Sequence, residues 1–503
     1  MRSTGLAIIL ALYLALAAGY AVVTPFGQPP DETAHALYIL HLAQKRRLPV
    51  LRRERREAYE FHQPPLYYLL AAPAWAAAAP ASPAAAHAAA RGVSILIGAV
   101  GVWLIAALAR AVSPPAGSTR DGLALAAAGF AALLPMRLAT AASVSNDTLA
   151  EAIFTAGLLL MVRMVRDGLS LRRAAGLGLV LGLGLLTKSS DLLLFPAALV
   201  ALLLATQTVD GGYPPRVGGQ TADAALKRTR APLPELPSTV YRLPSTAFLR
   251  GALVVFGLAL LIGGGWMARN VRLYGDLLGT RAFEQYFQDT LTTAAAEQLF
   301  HYDWLDLFWR KVLPLTFDSF WGVFGHMQFF MGAYPHNADA PGWAFLLADH
   351  HYPPPSWLYP LLLIPTLVAM AGLGVQGFRR SGVQAFRGSG VREGCPNTEH
   401  RTPNTEHPAP ARPNARTPEP VILALAWFLV LAAFLRFNTE FFQAQGRYLF
   451  PAMGPSALGF AAGWLAWWPP RRQGLAVLLL LAGMLALALY ALFGTLIPAF
   501  AGR

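Results

Sequence analysis

The chain has 503 residues, of which 55% are hydrophobic and only 13% charged, and its mean hydropathy is +0.43. That balance excludes a soluble globular protein of ordinary make-up and indicates a multi-span membrane protein. The net charge of +13 could suggest nucleic acid, but basic loops that fix orientation account for it, and the single cysteine, Cys395, excludes an intramolecular disulfide or a cysteine-built metal cluster.

Apolar stretches near 4–23, 92–112, 121–141, 148–165, 172–187, 190–206, 249–268, 357–376, 420–437, 448–468 and 473–497 approach or exceed the length a helix needs to cross the hydrocarbon core. They predict an all-α polytopic protein with about 11 transmembrane helices. The first stretch is read as a retained anchor and not a cleaved signal peptide, because a polar motif follows it at once.

That motif is Gln28-Pro29-Pro30-Asp31-Glu32-Thr33-Ala34-His35. Ionisable groups near bilayer depth are tolerated mainly where they pair, bind or react, so the two carboxylates are read first as catalytic. The plainer reading is that Asp31 or Glu32 caps a helix. His35, one turn after Asp31, could orient it, join Asp31 and Glu32 around a divalent ion, or be an ordinary surface histidine.

The first loop, 24–91, carries Lys45, Arg46, Arg47, Arg52, Arg53, Arg55 and Arg56, and then a segment at 64–85 interrupted by five prolines. Both pieces are expected to lie in the headgroup plane as interfacial amphipathic helices. If 66–80 does not span, Arg2 shares one side with Arg110 and Arg120, with Arg163 to Arg173, with two polar inserts and with Arg471 and Arg472. The positive-inside rule assigns that side to the cytoplasm, which puts the amino terminus inside and the first loop outside. The inserts, 207–248 and 377–419, lack any sustained apolar period and are expected to be disordered. They divide the chain into a transmembrane module at 1–206, helices and an outer loop 269–356 within 249–376, and carboxyl-terminal helices at 420–503. A near-duplication in the second insert, Pro396 to His400 and Pro403 to His407, reads as low-complexity expansion and not as a metal site.

Under this topology the polar residues that interrupt apolar stretches gather on the outer side. They are Asp31, Glu32 and His35, then His62 with Tyr67 and Tyr68, Asn146-Asp147, Lys188, Arg269, and Gln445 to Tyr448 with Arg447 among them. Asn146-Asp147 also fits an N-cap, Lys188 could snorkel to the interface, and the tyrosines could form an aromatic belt. No phosphate loop, HExxH, GxSxG or GxGxxG pattern stands in a suitable context, which leaves hydrolase and dinucleotide readings unsupported.

The pieces PPDETAH at 29–35, HQPPLYYLL at 62–70, SND at 145–147, LTK at 186–188, RNVRLYGD at 269–276 and QGRYLFPA at 445–452 resemble, in this order, the GT-C membrane glycosyltransferases that use polyprenyl-phosphate-linked sugars. The likeness is to bacterial relatives of the protein O-mannosyltransferases and lipid A aminoarabinose transferases, and to a bacterial membrane family with a Pro-Asp-Glu-x-x-His motif. The resemblance implies a base at Asp31 or Glu32, an acidic contribution from Asp147, and a hexosyl or pentosyl donor on the outer face of a bacterial cytoplasmic membrane. It leaves a divalent metal such as Mg or Mn open and names no firm cofactor. Arg447 and Lys188, then Arg269, are expected to bind the lipid phosphate, with His35, His62, Tyr67 and Tyr448 around the substrates. The expected partners are the lipid-linked donor, a lipid, glycan or protein hydroxyl acceptor, and membrane lipid, with no nucleic acid. The rival is a transporter or flippase for a lipid-linked or anionic solute, which would show an internal repeat of broken helices.

Overall fold

In the computed structural model, residues 2–52, 56–113, 118–210, 246–287, 292–332, 356–388 and 419–501 are described. The inserts expected at 207–248 and 377–419 lie mainly outside them. The described chain is helical almost throughout, and its strands are a two-residue antiparallel pair, Val323–Phe324 with Phe329–Phe330.

The amino-terminal helix α1, Arg2–Val23, has no acidic residue in its first turn and is apolar along its length, as a lipid-facing helix must be. It ends ahead of Pro25 and Gly27, whose φ of +83° turns the chain toward α2, Glu32–Lys45. Arg46 closes α2 with a φ of +51°, so the basic stretch from Arg46 to Arg52 is not the amphipathic helix expected of it. A 3-10 turn follows at Arg56–His62, then α3 at Leu66–Ala78, which continues through Pro73 but has only 13 residues. Such a helix is too short to cross a bilayer. Helix α4 runs from Pro83 to Val112 and therefore starts earlier than the expected boundary at 92. Ser82 caps it by accepting from Ala85 N at 3.0 Å, and Pro83 occupies a first-turn position where its missing N–H costs nothing.

Helix α5, Ser118–Leu133, bends by 64° into α6, Pro135–Ala141. Pro135 cannot continue the hydrogen-bond ladder, which accounts for the break. Inside the bundle Arg137 on α6 pairs with Glu151 at 2.8 Å and donates to Gly98 O on α4 at 3.0 Å. Helices α7, Asp147–Asp167, α8, Leu171–Leu185, and α9, Leu194–Asp210, complete the amino-terminal half. Helix α10, Thr246–Tyr274, packs along α8, where Gly178 and Gly182 meet Val255 and Ile262 with no space for a side chain. Close approach through small residues is the usual packing of membrane helices.

Later helices are 358–388, 419–438, 453–465 and 473–490. The first and third of these cross at Gly372 and Gly463, each facing the other helix's backbone.

Eight described helices are long and apolar enough to cross a membrane, and nine if the bent α5–α6 pair is one span. The eleven expected spans are therefore not all matched by length. Those expected at 172–187 and 448–468 are the 15-residue α8 and a 3-10 turn joined to a helix of 13 residues.

Candidate active site

Asp31 and Glu32 are adjacent in sequence and opposite in environment. Glu32 is fully buried. Its Oε1 accepts from Arg91 Nε at 2.7 Å and Val144 N at 3.0 Å, and its Oε2 from Arg91 Nη2 at 2.7 Å and Gly27 N at 2.9 Å. Two carboxylate oxygens offer about four lone-pair positions, so Glu32 has none left for a substrate proton. Arg91 is saturated in turn, because it also donates to Ala21 O, Thr24 O and Pro25 O at the end of α1. This pair binds the exit of α1, the start of α2, α4 and the segment ahead of α7 into one unit.

Asp31 stands at the N-cap position of α2 but caps nothing. Its φ of 65° and ψ of −3° lie in the left-handed region, which aspartate tolerates better than most residues. The carboxylate is turned instead toward two other segments. Oδ1 accepts from the Tyr59 hydroxyl at 2.9 Å, and Oδ2 from Arg447 Nη2 at 2.5 Å.

Arg447 is the hub of the next contacts. It donates to Asp147 Oδ2 at 3.2 Å and to Gln445 Oε1 at 2.7 Å, and Lys188 pairs with Asp147 Oδ1. The start of α2, the start of α7, the link from α8 to α9 and the turn at 446–452 thus meet in a network of two carboxylates and two cations. Side-chain exposure is 29% for Asp31, 20% for Lys188, 8% for Asp147 and 5% for Arg447, so Asp31 is the carboxylate that an incoming molecule can reach. Arg447 is held in register by Gly446, where a side chain would collide with the backbone of Thr316 and Phe320.

Burial alone would raise the Asp31 carboxyl, but the Arg447 guanidinium outweighs it and holds the group below the usual carboxylate range. Burial opposes the charge on Lys188, yet Asp147 beside it raises the ammonium above its ordinary value. His35 is pushed down by burial against the pull of Glu60 and Asp31, which favours a neutral ring. Its Nδ1 lies 2.7 Å from the Tyr68 hydroxyl and 3.9 Å from Glu60. His62 is lowered to about 4, again by burial, and its Nδ1 lies 2.7 Å from Tyr59 O.

The remaining expected residues fall in different places. Tyr448 lies under Arg447, with the guanidinium 5.2 Å from its ring. Tyr67 is fully buried, hydrogen-bonded to Ser94 at 2.7 Å and accepting from Ser145 N at 3.1 Å, so it braces the wall. Arg269 is not brought to the network, since it donates to Pro49 O and stacks 4.7 Å over Trp266. Asn146 makes no side-chain cap on α7; its Nδ2 donates to Thr187 O at 3.2 Å.

A small cavity reaches Arg447 between Pro29, Pro30, Met136, Val323 and Phe324. Another reaches Lys188 between His62, Gln63, Trp266 and Leu278. Asp31, Glu32 and His35 do not fit a divalent ion, because Glu32 is saturated by N–H donors. Among the described residues no group of three or more His, Cys, Asp or Glu side chains is arranged to hold a metal.

Three site residues escape the sequence reading. Arg91 lies inside α4, and setting the second span at 92 makes it look like a flanking charge. Tyr59 sits in a basic loop with no pattern to mark it. His326, exposed at the tip of the 323–330 hairpin, feels both Asp31 and Arg447.

Residues 66–211 match the family described as dolichyl-phosphate-mannose-protein mannosyltransferase. No curated protein matches the chain. The oligosaccharyltransferase of Archaeoglobus fulgidus, in complex with Zn and sulfate, is similar at 13% identity and a TM-score of 0.50, over 95% of this chain and 52% of that one. The archaeal oligosaccharyltransferase AglB from Archaeoglobus fulgidus, in complex with an inhibitory peptide and a dolichol-phosphate, is similar at 13% identity and a TM-score of 0.50, over 96% and 55%. ArnT from Cupriavidus metallidurans, bound to undecaprenyl phosphate, matches at 14% identity and a TM-score of 0.43, over 99% and 73%. The chain spans about half the length of the oligosaccharyltransferases it matches. The shared architecture is the GT-C fold that the motifs resemble.

Removing one member of the Glu32–Arg91 pair strands a buried charge, which costs about 3–5 kcal/mol. Glu32→Gln and Arg91→Gln are each expected to lower the thermal midpoint in detergent sharply, and the double variant to recover part of the loss. A double variant no more stable than the worse single one would remove the pair from this role.

Proposed function

We propose that the chain is a membrane glycosyltransferase that moves a hexosyl or pentosyl group, with inversion, from a polyprenyl-phosphate-linked donor to an acceptor hydroxyl. The observation that carries this reading is one accessible carboxylate, Asp31, fixed to Arg447 in a network that also holds Lys188, with each of the two cations lining a cavity. In the transfer, the acceptor oxygen attacks the anomeric carbon and the bond from that carbon to the phosphate oxygen breaks. The acceptor proton passes to Asp31, and the lipid phosphate leaves with the bonding electrons.

Charge develops on the departing phosphate, and fixed cations in a low-dielectric site are suited to stabilise it. Arg447 offers a two-pronged contact and Lys188 a point charge. Asp147 sets the spacing of the two cations, Tyr59 orients Asp31, and Glu32 belongs to the framework. His62 faces the cavity at Lys188, and Tyr448 supports the Arg447 guanidinium. No step runs through a metal ion. The fold and the partial family match support the lipid-phosphate donor class, and the archaeal oligosaccharyltransferase solved with dolichol-phosphate agrees with it. The concentration of basic residues in the other loops supports placing the site on the outer face of a bacterial cytoplasmic membrane.

With a radiolabelled polyprenyl-phosphate sugar and membranes as the acceptor source, Asp31→Asn should slow transfer by about 10²–10⁴-fold. Full retention of transfer would sink the base assignment. Because Asp31 is held below the ordinary carboxylate range, its base form persists as pH falls, and kcat/KM should stay level from about pH 7 to about pH 5. A loss of rate within that window would overturn Asp31 as the base. After Cys395 is replaced, a cysteine at Leu40 should label from outside intact cells and one at Ala225 only after permeabilisation, and the reverse pattern would discard the orientation.

A further inference from the structure

Each of the three nitrogens of Arg447 already donates once, to Asp31, Asp147 and Gln445, so neither fork of the guanidinium has both nitrogens free, and Lys188 is held by Asp147. The two carboxylates and two cations cancel. A phosphate that arrives through the cavity beside Arg447 meets a guanidinium whose edge is taken. The planar fork that pairs with a carboxylate is the same one that grips phosphate oxygens, so the two anions compete for it. Asp31 has the complementary difficulty. A carboxylate locked to an arginine is stabilised in its charged form and is a weak proton acceptor.

One exchange resolves both. We propose that the donor's phosphate displaces Asp31 from Arg447, so that donor binding itself frees the carboxylate that takes the acceptor proton, and the donor must enter first. This rests on the reading of the chain as a lipid-phosphate-sugar transferase. The surroundings of Asp31 suit the exchange. Tyr59, on the 3-10 turn, still donates to Oδ1 once Arg447 has left, so the freed group keeps its position. From the other elements His35 on α2, Glu60 beside Tyr59, Asp147 on α7 and His326 on the hairpin face this region. The 29% exposure of Asp31 leaves one side open to the acceptor.

The exchange has a consequence that a purely structural Asp31 would not share, namely that removing its charge should improve phosphate binding. Undecaprenyl phosphate is titrated into the full chain in lipid nanodiscs, for the wild type, Asp31→Asn and Arg447→Gln. Asp31→Asn should bind about 3- to 10-fold more tightly than wild type, and Arg447→Gln more weakly. Equal or weaker binding by a folded Asp31→Asn, with the wild type binding normally, overturns the exchange and leaves the transferase reading standing. No binding by the wild type overturns that reading and the exchange with it. If Asp31→Asn does not fold, Asp31→Gly, suited to the left-handed backbone at this position, carries the same comparison.

Discussion

The arrangement depends on the buried ion pair between Glu32 and Arg91. A carboxylate and a guanidinium taken out of water are tolerated only when their remaining hydrogen-bonding positions are filled, and here they are filled by the backbone at residues 21–27 and at Val144. The loop after α1 would otherwise leave several carbonyls at a membrane boundary without donors. Arg91 supplies those donors from α4, and Glu32 returns the favour to Gly27 and Val144. Asp31, one residue before Glu32, inherits a fixed position from a network it does not join.

From that anchor the division of labour between the neighbouring carboxylates follows. The helical backbone after Glu32 and the left-handed backbone at Asp31 send the two side chains to different places, one into the framework and one toward α7 and the 446–452 turn. Gly446 performs the matching task on the far side, since its backbone contact with the 313–322 helix sets how close Arg447 can come. Two rigid supports on opposite sides of a small charged network leave its members with few alternative arrangements.

Much of this was legible in the sequence because membrane helices are so restrictive. Asp31, Asp147, Lys188 and Arg447 each interrupt or border an apolar stretch, and such positions have few uses other than pairing or binding. Their gathering into one network follows from helices that begin or end at the same side. What was not legible depends on side-chain direction. Nothing in the adjacency of Asp31 and Glu32 says which is saturated. Tyr67 and Arg269 carry the same local signal as Tyr448 and Arg447, yet the first closes on Ser94 and Ser145 and the second on Pro49. The lengths of glycine-rich α8 and of the helix 453–465 were not legible either, because hydropathy does not register where a helix stops.

The closed charge of the network also bears on how such a site would turn over. Under the proposed transfer the donor is a phosphodiester with one negative charge, whereas the lipid phosphate left behind can carry nearly two at neutral pH. Two bare cations would hold that product more firmly than the donor, and each cycle would end in a trap. Under that transfer Asp147, and Asp31 once it has lost the proton it took, would compete with the spent lipid for Arg447 and Lys188 and so hasten its departure.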